Sequence, residues 1–194
     1  QLARQCPRAL TPGPREARED ERRPGYHRDR ALAHVIRRAT HMRPDDLAHH
    51  ELLELDPEGG VIRFAGQRAL LIDAVAMGLL RKYLVENFGL NAARAVLTQF
   101  GFAHGFRMAE AMRAGFEWED HDASRQGFER IVALEGLFRV QPGGAGPLSK
   151  EGTTVLASYE AEQHLLHFGQ ADAPACWTIC GLISGYLSRS VGEE

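Results

Sequence analysis

QRALLIDAVAMGLLRKYLVENFGLNAARAVLTQFGFAHGFRMAEAMRA, residues 67–114, decides how the chain is built. Residues 67–88 carry apolar side chains on nearly every side around Leu70, Leu71, Ala74, Val75, Gly78 and Leu79, and they run through Lys82 and Glu86 to Gly89. That pattern predicts a mostly buried helix stopped by a glycine, whose backbone tolerates the conformation a helix end requires. A second helix over residues 90–114 follows at once, with Ala93, Val96, Leu97, Phe100, His104 and Met108 recurring at helical spacing. So short a break favours two antiparallel neighbours.

Working outward, RPDDLAHHELLELDPEGGVIRFAG (residues 43–66) reads as a short helix, a DPEGG turn and a VIRF strand. After residue 114, a third helix is expected from Asp122 to about Ala133, then a break at Gly136 and the strand LFRVQP. PGGAGPLSKEG is a glycine-rich turn leading to TTVLAS, which completes a β-hairpin. Ser158 opens a helix with Glu160 and Glu162 in its first turn, and Gly169 ends it. Pro174 is placed to open the last helix, where a missing N–H costs nothing. Helices and hairpin strands alternate without a strand-helix-strand rhythm, so the expected class is α+β: helices packed on a small antiparallel sheet or hairpin.

The first forty residues have a different texture. They are rich in Arg, Glu and Pro and poor in large aliphatics, so burial cannot offset their ordering entropy. A disordered or partly helical arm is expected over residues 1–41, with ALAHVIRRA as a short helix. Glu16, Glu19, Asp20 and Glu21 interleave with its arginines, which argues for a solvated arm over a nucleic-acid tail.

Overall the 194 residues are 44% hydrophobic and 25% charged, with formal net charge −3. That balance offers no general attraction to nucleic acid or to an anionic membrane. The longest apolar run, ALLIDAVAMGLL, is well short of the roughly 20 residues that cross a bilayer. No signal peptide opens the chain and Cys6, Cys176 and Cys180 do not make a disulfide framework, so the cytosol is the expected compartment.

Several chemical motifs almost form. GGAGPLSK lacks the Lys-Ser/Thr ending and the strand-to-helix context of a phosphate loop. HHELLEL puts Glu54 where a zinc-protease helix needs its second histidine. In GLISGY the serine falls one place late for a nucleophile elbow, and Ser184 is better explained as a small residue that lets helices pack closely. Glu160, His164 and His167 share neighbouring helical turns, but without a further ligand they read as a surface helix. No spacing proposes a nucleophile or an acid–base pair, so an enzyme is not expected.

Five segments taken in order, GQRALLIDAVAMGLLRKYLV, LTQFGFAHGFRMAE, LEGLFRV, ASYEAEQHLLHFG and CWTICGLISGYLS, resemble the sensor region of aromatic-responsive, sigma-54-dependent transcriptional activators. These are the regulators of phenol, toluene and xylene breakdown. The resemblance covers residue 42 to the end, and implies an effector-sensor domain over residues 42–148 and part of a 4-vinyl reductase type domain over residues 149–194. It also implies the partners of such a protein: a small aromatic molecule, a second copy in a homodimer, and a downstream ATPase of the AAA+ class, with no direct contact to DNA.

In phenol-responsive members a histidine before the LEG turn and a tryptophan before the SYEAE helix hold the phenol hydroxyl. The matching positions here are Val132 and Val155. The resemblance therefore implies a pocket that disfavours phenol and suits a hydrocarbon, or a larger ligand anchored elsewhere, with Leu134, Phe100, Phe102, Phe106, Leu182, Ile183 and Tyr186 as further lining. Cys176 of PACW matches the first ligand of a structural zinc site whose other ligands, in the family, follow the GYxS helix. The chain stops before that segment, so a truncation is expected, with the zinc site incomplete and Cys176 a buried thiol. Two other readings stand beside this one. The first is a dimerisation or adaptor module with no small-molecule ligand, pairing through the arm and ALAHVIRRA. The second, the weakest, is a small enzyme of the 4-vinyl reductase type.

Overall fold

A computed structural model of the chain describes residues 41–141 and 154–190. The expected arm, ALAHVIRRA, Cys6 and the PGGAGPLSKEG turn lie outside the described residues. Within them the architecture is α+β, with five helices of ten residues or more, a three-stranded antiparallel sheet and a two-stranded hairpin.

A helical turn, α1 (His49–Leu52), runs straight into β1 (Leu53–Asp56), which pairs with β2 (Val61–Phe64), and β2 pairs with β3 (Gln67–Ala69). Asp56 turns the first hairpin by accepting the Gly59 N–H at 2.8 Å. Two of these strands, β1 and β3, fall where the sequence predicts only helix or loop. LELD is half charged and QRA is only three residues long, so what makes them strands is their partner, VIRF, which can bond on both edges.

The helix expected from residue 67 starts only at Ala74, as α2 (Ala74–Phe88). Asp73 causes the delay: its side chain accepts the Ala76 N–H at 2.7 Å, the N-cap contact that fixes where a helix begins. Nor is α2 mostly buried, since Gly78 and Arg81 are its buried residues while Val75, Leu79, Leu80 and Tyr83 are exposed. Gly89, at φ 81°, both ends α2 and admits α3 (Leu90–Gly115). Along α3 the buried face is Ala93, Leu97, Gly101, Gly105, Met108, Ala109 and Met112. Val96 and Phe100, expected on that face, are exposed.

Asp120 caps α4 (His121–Leu134) through the Ala123 N–H, and Gly136 at φ 72° turns the chain into β4 (Arg139–Val140). β4 pairs with β5 (Val155–Leu156), setting Val140 opposite Val155. Ser158 caps α5 (Tyr159–Phe168), accepting the Ala161 N–H at 3.1 Å. The last helix, α6 (Trp177–Ser190), begins three residues after Pro174, which serves instead as an anchor: its carbonyl accepts the Trp177 indole N–H at 2.9 Å.

The most extensive interface joins α3 and α6. It is a reciprocal glycine seam. A Cβ at Gly101 or Gly105 would run into the Thr178 or Leu182 carbonyl, and one at Gly181 or Gly185 into the Thr98 or Phe102 carbonyl. Each helix therefore rests its backbone against that of the other, close enough for Cα–H···O contacts. Beside the seam, one apolar core draws on both sides of residue 148: Met108, Phe128, Ile131, Val132 and Phe138 join Ile179, Leu182 and Tyr186. A smaller cluster of Ala93, Leu97 and Trp177 fixes α2 through Leu84 and Val85.

Candidate functional site

The candidate effector site is built on α4, the β4–β5 hairpin and α6. Val132 is fully buried on the core face of α4, and its carbonyl accepts the Leu137 N–H at 3.0 Å, holding the tight exit into β4. Val155 on β5 is half-buried and packs against the same cluster, as do Leu134 and Ile183. Leu182 and Tyr186, one turn apart on α6, are both 2% exposed. Six of the nine residues expected to line the pocket thus meet at one apolar centre. Phe102 and Phe106 instead stack on each other along α3 with ring centroids 6.4 Å apart, and the Arg189 guanidinium lies over Phe106. Phe100 is 53% exposed and stands outside the cluster.

Residues that sequence reasoning overlooked complete the centre. The Phe128 ring stacks on Tyr186 with centroids 4.0 Å apart, and Phe138 and Ile179 are buried beside them. Phe128 sits four residues before Val132 on α4, a helical repeat that could have marked it. Phe138 carries the alternating phase of the strand that leads into the hairpin.

Polar groups at this centre are few. The Tyr186 hydroxyl donates to the Ser124 carbonyl at 3.4 Å, and burial raises its pKa. Ser158 Oγ lies 3.6 Å from Cys176 Sγ. The Trp118 indole nitrogen is buried without a partner among the described residues. Near the α4 exit, the Glu135 carboxyl approaches His104 at 3.9 Å, and burial raises its pKa to about 7. Burial lowers that of His104.

For a metal the arrangement is sparse. Cys176 is half-buried against the core, and Cys180, one helical turn on, is exposed. Among the described residues no group of three or more His, Cys, Asp or Glu converges. Structural zinc prefers four closed ligands, so the described side chains do not by themselves fit a zinc ion. The Glu160, His164 and His167 set does not gather at a surface either. Glu160 is 3% exposed and committed elsewhere, its carboxylate accepting from Arg81 and from the first turn of α6.

Residues 46–144 match the family model described as "activator of aromatic catabolism". The chain is 30% identical over 145 residues to the phenol regulator MopR of Acinetobacter guillouiae, covering 71% of this chain and 26% of that protein. It is 25% identical over 144 residues to the transcriptional regulatory protein XylR of Pseudomonas putida, covering 70% and 25%. The chain thus spans about a quarter of the length of these curated relatives. The crystal structure of the phenol-responsive sensory domain of the transcription activator PoxR with phenol superposes with TM-score 0.64 at 29% identity, covering 77% of this chain and 76% of that one.

Proposed function

This chain belongs to the activator of aromatic catabolism family, and from that premise we propose that it is the sensory part of a transcription activator, taking a small aromatic effector into the centre formed by α4, the β4–β5 hairpin and α6. The observation that carries this reading is the meeting of Val132, Val155, Leu134, Leu182, Ile183 and Tyr186 at one apolar cluster. A flat ring is stabilised in such surroundings by loss of apolar area from water and by edge-to-face contacts with rings such as Phe128 and Tyr186. Nothing in this function requires catalysis.

The preferred effector is a hydrocarbon such as toluene or a xylene. Both positions that match the phenol-gripping residues are valines, and a buried hydroxyl without a partner costs about 1–3 kcal/mol. Phenol should therefore bind on the order of tenfold or more weaker than toluene, since each 1.4 kcal/mol is a factor of ten. Titration calorimetry of the folded chain with toluene and phenol tests this. Equal affinities would remove the hydrocarbon preference, and no binding of either would remove the sensor reading. In the full-length regulator, a sigma-54-dependent AAA+ ATPase is the output that effector binding would release, and zinc bound through Cys176 would need ligands beyond those described here.

A second copy of the chain is the proposed neighbour. Val75, Leu79, Leu80 and Tyr83 on α2 and Val96 and Phe100 on α3 are exposed, as are Leu70, Leu71 and Ile72 in the segment before α2. Exposed apolar surface on this scale marks an association site, and two identical helical faces suit the isologous contact of a twofold dimer. The same surface also favours the competing reading of a dimerisation module without an effector. Calorimetry against the aromatic panel separates the two, because only the sensor gains binding heat.

A further inference from the structure

Arg81 carries one occupied edge and one open edge, both inside the protein. Its side chain is 3% exposed, Nη1 donates to Glu160 Oε1 at 2.7 Å, and the guanidinium carbon lies 3.9 Å from the Trp177 ring centroid. Glu160 is engaged by α6 as well. Its Oε1 also accepts the Thr178 N–H and hydroxyl, both at 3.0 Å, and its Oε2 accepts the Ile179 N–H at 3.1 Å. Arg81 Nε and Nη2, which present two parallel N–H bonds along one side of the guanidinium plane, are buried with no partner among the described residues. Gln163, one turn beyond Glu160 on α5, is 8% exposed, and its Oε1 is buried and equally unmatched. Arg81, Glu160, Gln163 and Thr178 line one hollow of about 10 Å³, walled on its apolar side by Met77 and Leu97.

We propose that this hollow is a binding site for one structural water, which accepts both N–H bonds of the Arg81 fork and donates to Gln163 Oε1. The volume suits a single water, and three hydrogen bonds is the usual complement of a buried one. Donor count favours water over a halide, because a chloride can accept from the fork but can give nothing to the Gln163 carbonyl. Charge points the same way, since Glu160 already balances Arg81 and leaves no net positive site for an anion. The water completes a polar pin through α2, α5 and the first turn of α6, and seats the helix that bears the exposed apolar face.

The test is a crystal structure of the chain grown in sodium bromide, together with water oxygen-17 relaxation dispersion in solution. A single density peak within hydrogen-bond reach of Nε, Nη2 and Oε1, without anomalous bromine signal, is expected. A bromine signal there, or no density, overturns the proposal. In solution Arg81→Lys keeps the charge opposite Glu160 but removes the fork, and the count of long-lived waters should fall by one. Gln163→Leu removes the acceptor and should give the same loss if the lysine variant fails to fold. An unchanged count in a folded variant also refutes the site.

Discussion

Replacing Gly105 by alanine probes the seam on which the whole helical layer depends. The added Cβ would stand 2.7 Å from the Leu182 carbonyl carbon, where ordinary contact begins at 3.4 Å, so α3 and α6 must part by at least about 0.7 Å. It would also meet the Tyr186 nitrogen at 2.9 Å. None of these obstacles is a side chain that can rotate away, which puts the change at the upper end of the overpacking range, about 3 kcal/mol. Alanine recovers about 1 kcal/mol of helix propensity relative to glycine, leaving a net loss of about 2 kcal/mol. At roughly 2–4 °C per kcal/mol for a domain of this size, Tm should fall by about 4–8 °C. Thermal unfolding followed by far-UV circular dichroism measures it, with Gln99→Ala, exposed on the same helix, as the unaffected control. A Gly105→Ala protein as stable as its parent, or more stable, would show that the helices do not touch backbone to backbone.

Three further outcomes can be measured. Val132→His should return a hydrogen-bond partner to the centre and raise phenol affinity relative to toluene by about tenfold; an unchanged ratio in calorimetry would place residue 132 away from the effector. Glu135 has a folded pKa of about 7 against an ordinary 4.5. Its protonated form is therefore favoured by folding, and the stability it contributes is full below pH 4.5 and lost as pH rises through 7, by up to about 3 kcal/mol. His104, whose pKa burial lowers, acts in the opposite sense, so the parent shows only the difference, and Glu135→Gln should raise Tm at pH 8 relative to pH 5 when compared with the parent. If the proposed twofold dimer forms through α2, Leu79→Lys on its exposed face should leave the fold intact and shift the sedimentation coefficient toward the monomer; an unchanged coefficient would clear that face of the interface.

How much could be read in advance differed from element to element, for physical reasons. Helix α5 was legible from end to end because its signals are local: a serine cap, acidic residues in the first turn and a glycine stop at φ 76°. The segment before α2 was not. QRALLID is apolar enough for either helix or strand, and only pairing with VIRF and the Asp73 cap decide between them. Arg81 was invisible as a buried residue because the carboxylate that holds it lies 79 positions away. In α3, spacing alone admitted Phe100 to the inner face, whereas the glycines at 101 and 105 draw α6 against a face from which Phe100 is excluded. At the proposed effector centre, Val132 and Val155 came from family resemblance, while Phe128 and Phe138 emerged only once α4 and the hairpin had been folded around them.

A joint in which peptide carbonyls lie against α-carbons has no cushion of side chains, and so no slack. Helix α6 cannot slide or roll along α3 by small steps, because each displacement drives an oxygen into a neighbouring backbone. Whatever accommodation a guest molecule demands must then come from the other wall, where α4 and the two short strands are held by rotatable Phe, Leu and Val side chains. Recognition would be read out as movement of that wall against a fixed post.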